Sequence, residues 1–329
     1  MNQEVATSGG KGKLPLTFWL SNMFEFFERG AYYGLQAVLA VYLVEHLKFS
    51  VESVGFLQGF VYALTTPAFE ASDELWHYPM IRHLADGNPL PVQVFDPNLA
   101  GPWKQEASQP PLYYYAGAAL TYWIDTADME EVRRKNPHVD NGLITPDGNT
   151  NLVVHDPFSD PWQGTLLAVR LVRILSVVMS AVTVYLTYRI AGFAVPGRPE
   201  VALGAAAVNA FLPMFIFISG AVNNDNLAIM LASLSLLIMI LTVSSRSAEQ
   251  QFTGVWRHWS VWILLGGVIG LALLTKEGTI GLLPLAWGTG FIVSWLETRE
   301  SPENSSTSVR TWLQILVRSL LKFILLLLP

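Results

Sequence analysis

The sequence predicts an all-α protein, a polytopic bundle of transmembrane helices, and two observations carry that expectation. Of its 329 residues 51% are hydrophobic and only 14% charged, with a mean hydropathy of +0.36. That is too little polar surface to cover a water-soluble globule of this length. Several separate stretches are also apolar for roughly 20 residues, the length that crosses about 30 Å of hydrocarbon as helix.

Taken in order, residues 1–16 form a polar tail, and the apolar run 17–44 behind it is too long for a signal-peptide core and lacks a cleavage site, so it reads as a retained anchor. Segment 53–66 is apolar but short, and a loop-like, non-spanning conformation is expected of it. The stretch 67–164, rich in Pro, Asp and Asn, is the one sizeable extramembrane piece; within it 111–124 (PLYYYAGAALTYWI) suits an interfacial helix. Further spans are expected at 165–195, 201–219, 227–244, 259–275 and 279–296. A last apolar run from 312 halts at Pro329, which reads as a truncated chain or fragment.

Charge narrows the partners. A net charge of −6 with no basic stripe argues against nucleic acid, and the absence of cysteine excludes disulfides, thiolate metal sites and cysteine nucleophiles. If 165–195 runs inward, the inner loops carry Arg189 and Arg198, Arg246 and Arg257, Arg299 and Arg310, while the opposite loops carry Lys276 alone. The positive-inside rule then puts the 67–164 loop, Asn223–Asn226 and Lys276-Glu277 together on the extracytoplasmic side.

Three clusters on that side carry chemistry. In PAFEASDELWHYP, Glu70, Asp73, Glu74 and His77 fall within eight residues, with Asp73 and His77 four apart on one face of a helix beginning near Ser72. The same acids also suit an ordinary helix cap and first turn. Asn223-Asn224-Asp225-Asn226 offers four oxygen-bearing side chains to a hard divalent cation, or a polar turn capping the next helix through Asp225 or Asn226. Lys276 either neutralises a lipid phosphate or snorkels to the interface.

At these residues a resemblance enters. ASDELWHYPMIRHLADGNPLP followed by QPPLYYYAGAAL resembles the first outer loop of GT-C membrane glycosyltransferases related to protein O-mannosyltransferases and lipid A aminoarabinose transferases. NAFLPMFIFISGAVNNDNLAIM and LALLTKEGTIGLLPL are similar to later spans and loops of the same superfamily, so the likeness runs over about 67–329. It implies a GT-C bundle with a large extracytoplasmic first loop and an incomplete core over 165–329, in the plasma (inner) membrane. The implied activity is transfer of a sugar from a polyprenyl-phosphate donor to a protein, lipid or glycan acceptor.

The resemblance also implies roles. Asp73 would be the base that activates the acceptor, with Glu74 assisting or orienting it. Asp225, with Asn224, would help hold a divalent metal (Mg or Mn) in members that use one, although Asn stands here where a second Asp is common. His77, Arg170, Arg173 and Lys276 are the candidate contacts to lipid phosphate or substrate, the two arginines three apart at the outer end of span 165–195 and equally suited to anchoring it.

A different family is suggested by the first 65 residues. NMFEFFERGAYYGLQAVLAVYLVEHL carries Glu25, Glu28 and Arg29 on one helix face, and charges inside a span are functional by default. With Tyr32 and Tyr33 this run resembles the first helix of proton-coupled oligopeptide transporters of the major facilitator superfamily, over about 14–65. That resemblance implies proton and peptide coupling, and a transporter fragment is the alternative function. An inactive chimera is a further alternative. Lys11 and Lys13 put the N-terminus inside, so if both 17–44 and 53–66 crossed, Asp73 would emerge on the wrong side for a GT-C enzyme. A junction near Leu64–Pro67 reconciles the two halves.

Overall fold

The computed structural model describes residues 51–71, 73–94, 96, 100–139, 151–246, 254–299 and 309–328. The expected span 17–44, with Glu25, Glu28, Arg29, Tyr32 and Tyr33, lies outside the described residues. Among the described residues the regular structure is helical, and the only β feature is an isolated bridge between Lys135 and Val153. The all-α bundle is thus the observed architecture.

Among the described residues three helices are long and apolar enough to cross a membrane: α4 (Gly164–Ala194), α7 (Asp225–Ser244) and the run Glu277–Arg299, whose α-helical part is α9 (Leu282–Arg299). The expected span 201–219 is broken. Its two pieces, α5 (Pro199–Phe211) and α6 (Pro213–Ser219), meet at 63°. Pro213 explains the break, because its ring disfavours the helical conformation at the preceding residue, and Leu212 is accordingly extended at ψ 113°.

Two other expected spans are corrected as well. The segment 259–275 forms only the 14-residue α8 (Ser260–Leu273), about 21 Å long against a hydrocarbon core of about 30 Å. The run from 312 belongs to α10 (Val309–Leu326), whose sequence includes Arg310, Arg318 and Lys322 and which is not among the helices apolar enough to cross.

Segment 53–66 is not loop-like. It is part of a regular helix, α1 (Val51–Thr65), which buries Gly59 and Ala63 and sets Gly59 against Val177 of α4. Its last carbonyls, Ala63 O, together with Thr66 O and Pro67 O just beyond, accept hydrogen bonds from Arg173 near the start of α4. α1 and α4 therefore run antiparallel, and α1 delivers the chain to the end of the bundle where α4 begins.

At that end the connecting stretches converge. α2 (Glu74–Ala85) packs on α3 (Leu112–Thr121), and Leu112 N donates to Leu274 O at 2.9 Å at the end of α8. Asn223 N donates to Tyr113 Oη at 3.1 Å, and Tyr113 pairs with Ser176 of α4 at 2.8 Å. Gly220 permits the close approach of the α6–α7 connection to α1: a Cβ there would stand 2.9 Å from Ala63 N. α4 itself is capped from another element, as Asp128 Oδ1 accepts from Thr165 N at 3.0 Å and Thr165 Oγ1 at 2.7 Å. A carboxylate at a helix N-terminus satisfies orphan N–H groups and meets the positive end of the helix dipole.

Candidate active site

The site is built on Glu74. This carboxylate is fully buried, and it would be untenable there without partners. It has four: Oε1 accepts from Arg173 at 2.6 Å and Phe69 N at 2.8 Å, and Oε2 accepts from Arg173 Nε at 2.8 Å and Val222 N at 3.0 Å. Arg173 is equally committed. Its five N–H groups go to the two Glu74 oxygens and to Ala63 O, Thr66 O and Pro67 O.

Two sequence expectations are corrected here. Arg173 has no donor left for a lipid phosphate; it terminates α1 and ties α1, α2 and α4 together. Both Glu74 oxygens are filled by the four hydrogen bonds they accept, so this carboxylate is not open to assist Asp73 by taking a proton itself. Arg170, three residues away, donates to Pro161 O at 3.0 Å and lies over the Trp162 ring, so its contacts are with the 161–162 segment and not with the residues described next.

Asp73 precedes α2 directly, with φ 56° in the left-handed region that most L-residues avoid and that Asp tolerates better than most. Its backbone carbonyl accepts from Trp76 N and His77 N, whereas its side chain makes no capping bond to α2. The helix thus begins at Glu74 rather than near Ser72, and the carboxylate of Asp73 sits exposed at its tip. The anchored neighbour Glu74 fixes that tip.

One turn on, His77 is buried and its Nδ1 lies 2.8 Å from Tyr114 Oη, which donates to Glu106 Oε2 at 3.1 Å. Tyr114 has one hydroxyl proton, so the network assigns the Nδ1–H tautomer to His77. Burial lowers the His77 pKa to about 4; the Asp73 and Asp225 carboxylates raise it and Lys276 lowers it further, so these groups all act on one imidazole. Burial likewise pushes Glu106 above the usual carboxylate range, with the Tyr114 hydrogen bond opposing. Glu106 and Tyr114 were not foreseen from the sequence. Tyr114 belongs to the QPPLYYY run, and Glu106 stands three residues before it.

Opposite them stand Asp225 and Lys276, joined by a 2.5 Å ion pair and each about one-third exposed. The neighbouring amides have structural work. Asn224 Nδ2 donates to Thr275 O at 3.2 Å, tying the start of α7 to the end of α8. Asn226 is held between Ser180 and the carbonyls of Ile218 and Asn223. The turn is closed by Asn223 Oδ1, which accepts from Asp225 N, and not by Asp225 or Asn226.

As a metal site this donor set fits poorly. Among the described residues no three His, Asp or Glu side chains converge, and the carboxylate of Asp225 already faces an ammonium. The arrangement does place an acid at the tip of α2 and a cation at the α8–α9 connection, both acting electrostatically on the buried His77.

Residues 167–317 match the family model described as dolichyl-phosphate-mannose-protein mannosyltransferase. The match spans most of α4 through α9 and part of α10, under half of the chain, and includes Arg170, Arg173, Asp225 and Lys276. It supports a membrane glycosyltransferase of the GT-C type. Asp73, His77 and Glu106 precede the matched residues. No curated protein and no solved structure matches the chain.

Proposed function

We propose that the chain transfers a sugar from a polyprenyl-phosphate donor to an acceptor hydroxyl or amine at the extracytoplasmic face of the plasma (inner) membrane, with Asp73 as the base. The observation that carries this reading is the position of Asp73: an exposed carboxylate in left-handed backbone, held at the tip of α2 by the buried Glu74 and sharing one electrostatic neighbourhood with Lys276.

The chemistry follows from that placement. Asp73 takes the acceptor proton as the acceptor atom bonds to the anomeric carbon, and the bond from that carbon to the phosphate oxygen breaks with its electrons leaving on the phosphate. In this reading the Lys276 ammonium offsets the negative charge that develops on the phosphate. His77 stays neutral at physiological pH and, with Tyr114 and Glu106, supports the wall behind the two groups. No step passes through a metal ion.

The test is transfer from a polyprenyl-phosphate sugar in proteoliposomes. Asp73→Asn keeps the shape and tolerates the same backbone conformation, so it is expected to lose activity by about 10²–10⁴-fold while unfolding at the wild-type temperature. Full activity in this variant would remove Asp73 from the mechanism.

A further inference from the structure

We propose that the end of the bundle opposite Asp73 holds a phospholipid, its phosphate on Arg189 and an acyl chain along α4. Arg170 and Arg189 lie 19 residues apart on α4, about 28 Å along the helix axis, against a hydrocarbon core of about 30 Å. The one charge between them, Arg173, is buried and paired with Glu74. The two arginines thus mark the two membrane boundaries on α4, and Arg189 marks the one away from Asp73.

At that boundary the chain builds a cavity. Gly197, at φ 78°, lies in the turn after which α5 packs beside α4. A cavity of about 250 Å³ opens there, lined by Tyr188, Arg189, Phe193, Arg198 and Ala202 among others. That is smaller than the usual site for a whole small molecule, about 300–1,000 Å³, and suits a headgroup whose chains lie outside it. Arg198 is largely exposed and paired with Glu200. Arg189 is held by aromatic groups instead: it donates to the Tyr185 hydroxyl, and its Cζ is 5.6 Å from the Tyr185 ring centroid and 5.3 Å from that of Phe193. Among the described residues these contacts orient the guanidinium and use one of its five donors. A planar guanidinium fixed in this way is suited to two-point contact with a phosphate. An arginine that only snorkels needs no cavity beside it.

An apolar track leads to this cation from the membrane interior. Val178, Val182 and Tyr185 are all exposed, at the i, i+4, i+7 spacing of one helix face, and Arg189 follows at i+11. The residues on either side of the track are packed away. Val184 is buried with Ala206, Ala207 and Phe211 of α5, and Leu186 with Leu237 and Leu241 of α7. The track is therefore the floor of a groove between α5 and α7, and it ends at a basic pocket between helices, the kind of place where lipid headgroups bind. A soluble phosphate ester would use the pocket and leave the track bare.

The experiment is native mass spectrometry of the full chain released from detergent micelles, with dioleoylphosphatidylglycerol, dioleoylglycerol and inorganic phosphate as probes. One phosphatidylglycerol retained per chain is expected, with much weaker retention of dioleoylglycerol and no displacement of the lipid by millimolar inorganic phosphate. Arg189→Gln is expected to lower phosphatidylglycerol retention at least about tenfold, and Arg189→Lys to restore part of it. Arg299→Gln, which removes an exposed arginine stacked on Trp295, should leave retention unchanged. If Arg189→Gln fails to fold, Val182→Asn on the exposed track is read in its place, with a smaller loss expected.

No retained phospholipid, equal retention of dioleoylglycerol, or an equal loss on Arg299→Gln overturns the proposal. So does displacement of the lipid by inorganic phosphate, which would make this a site for soluble phosphate. Because the readout is lipid binding, it is independent of whether the chain transfers sugar.

Discussion

Glu74 and Arg173, 99 residues apart in sequence, form a buried two-point ion pair in which both carboxylate oxygens and all five guanidinium N–H groups have partners. A pair so enclosed costs much to break and little to omit altogether, because removing one partner leaves the other charge buried and unpaired. Arg173→Met is therefore expected to destabilise by about 3–5 kcal/mol. The matched double variant Arg173→Met with Glu74→Gln should recover part of that loss. Chemical denaturation in detergent, read as a double-mutant cycle, measures the coupling; additive losses would show that the pair does not act as a unit.

Asp73 separates backbone from side-chain roles. At φ 56° a β-carbon without a short polar group is disfavoured by about 1–2 kcal/mol, so Asp73→Ala should lose both activity and stability, whereas Asp73→Asn loses activity alone. Asp73→Gly should restore stability at this conformation without restoring transfer. If the assignment is right, thermal unfolding sets Asp73→Ala apart from the other two variants, while transfer is lost in all three.

Lys276 and Asp225 are a contrasting pair, each about one-third exposed and screened by solvent. Lys276→Met is expected to change stability by no more than about 1 kcal/mol. Its effect should fall on the donor: a higher KM for the polyprenyl-phosphate sugar, by about tenfold, and a lower kcat. Unchanged donor kinetics would reassign Lys276 to holding the start of α7.

What could be read in the chain, and what could not, divides along physical lines. Apolar length and loop charge sufficed to bring Asp73, Asp225 and Lys276 to one end of the bundle, since both are local properties of sequence. For Arg173 the phosphate-contact and anchoring readings stayed open, because an arginine at the end of a span looks the same in one dimension whether it faces a headgroup or three backbone carbonyls. Only the antiparallel packing of α1 on α4 distinguishes them. The short apolar 53–66 was misread for the same reason, its burial being supplied by α4. Glu106 and Tyr114 form a site with His77 through contacts across 37 and 8 positions, and no local spacing announces them.

His77 makes the network sensitive to pH. In the unfolded chain its pKa returns to about 6.5, while in the fold burial holds it at about 4. Above pH 6.5 both states leave it neutral and its contribution is complete. As pH falls from 6.5 towards 4 the unfolded chain takes up a proton that the folded chain refuses, so stability is lost, by about 2 kcal/mol at pH 5. Glu106 acts in the other direction: its raised folded pKa lets the fold bind a proton before the unfolded chain does, which stabilises as pH drops. In the wild type the two partly cancel. His77→Gln removes the first and keeps the second, so its stability deficit relative to wild type should shrink between pH 7 and pH 5, measured by thermal unfolding in the same detergent. A deficit that is constant across that range would mean that His77 titrates as it does in the unfolded chain, and that the hydrogen bond through Tyr114 does not hold it neutral.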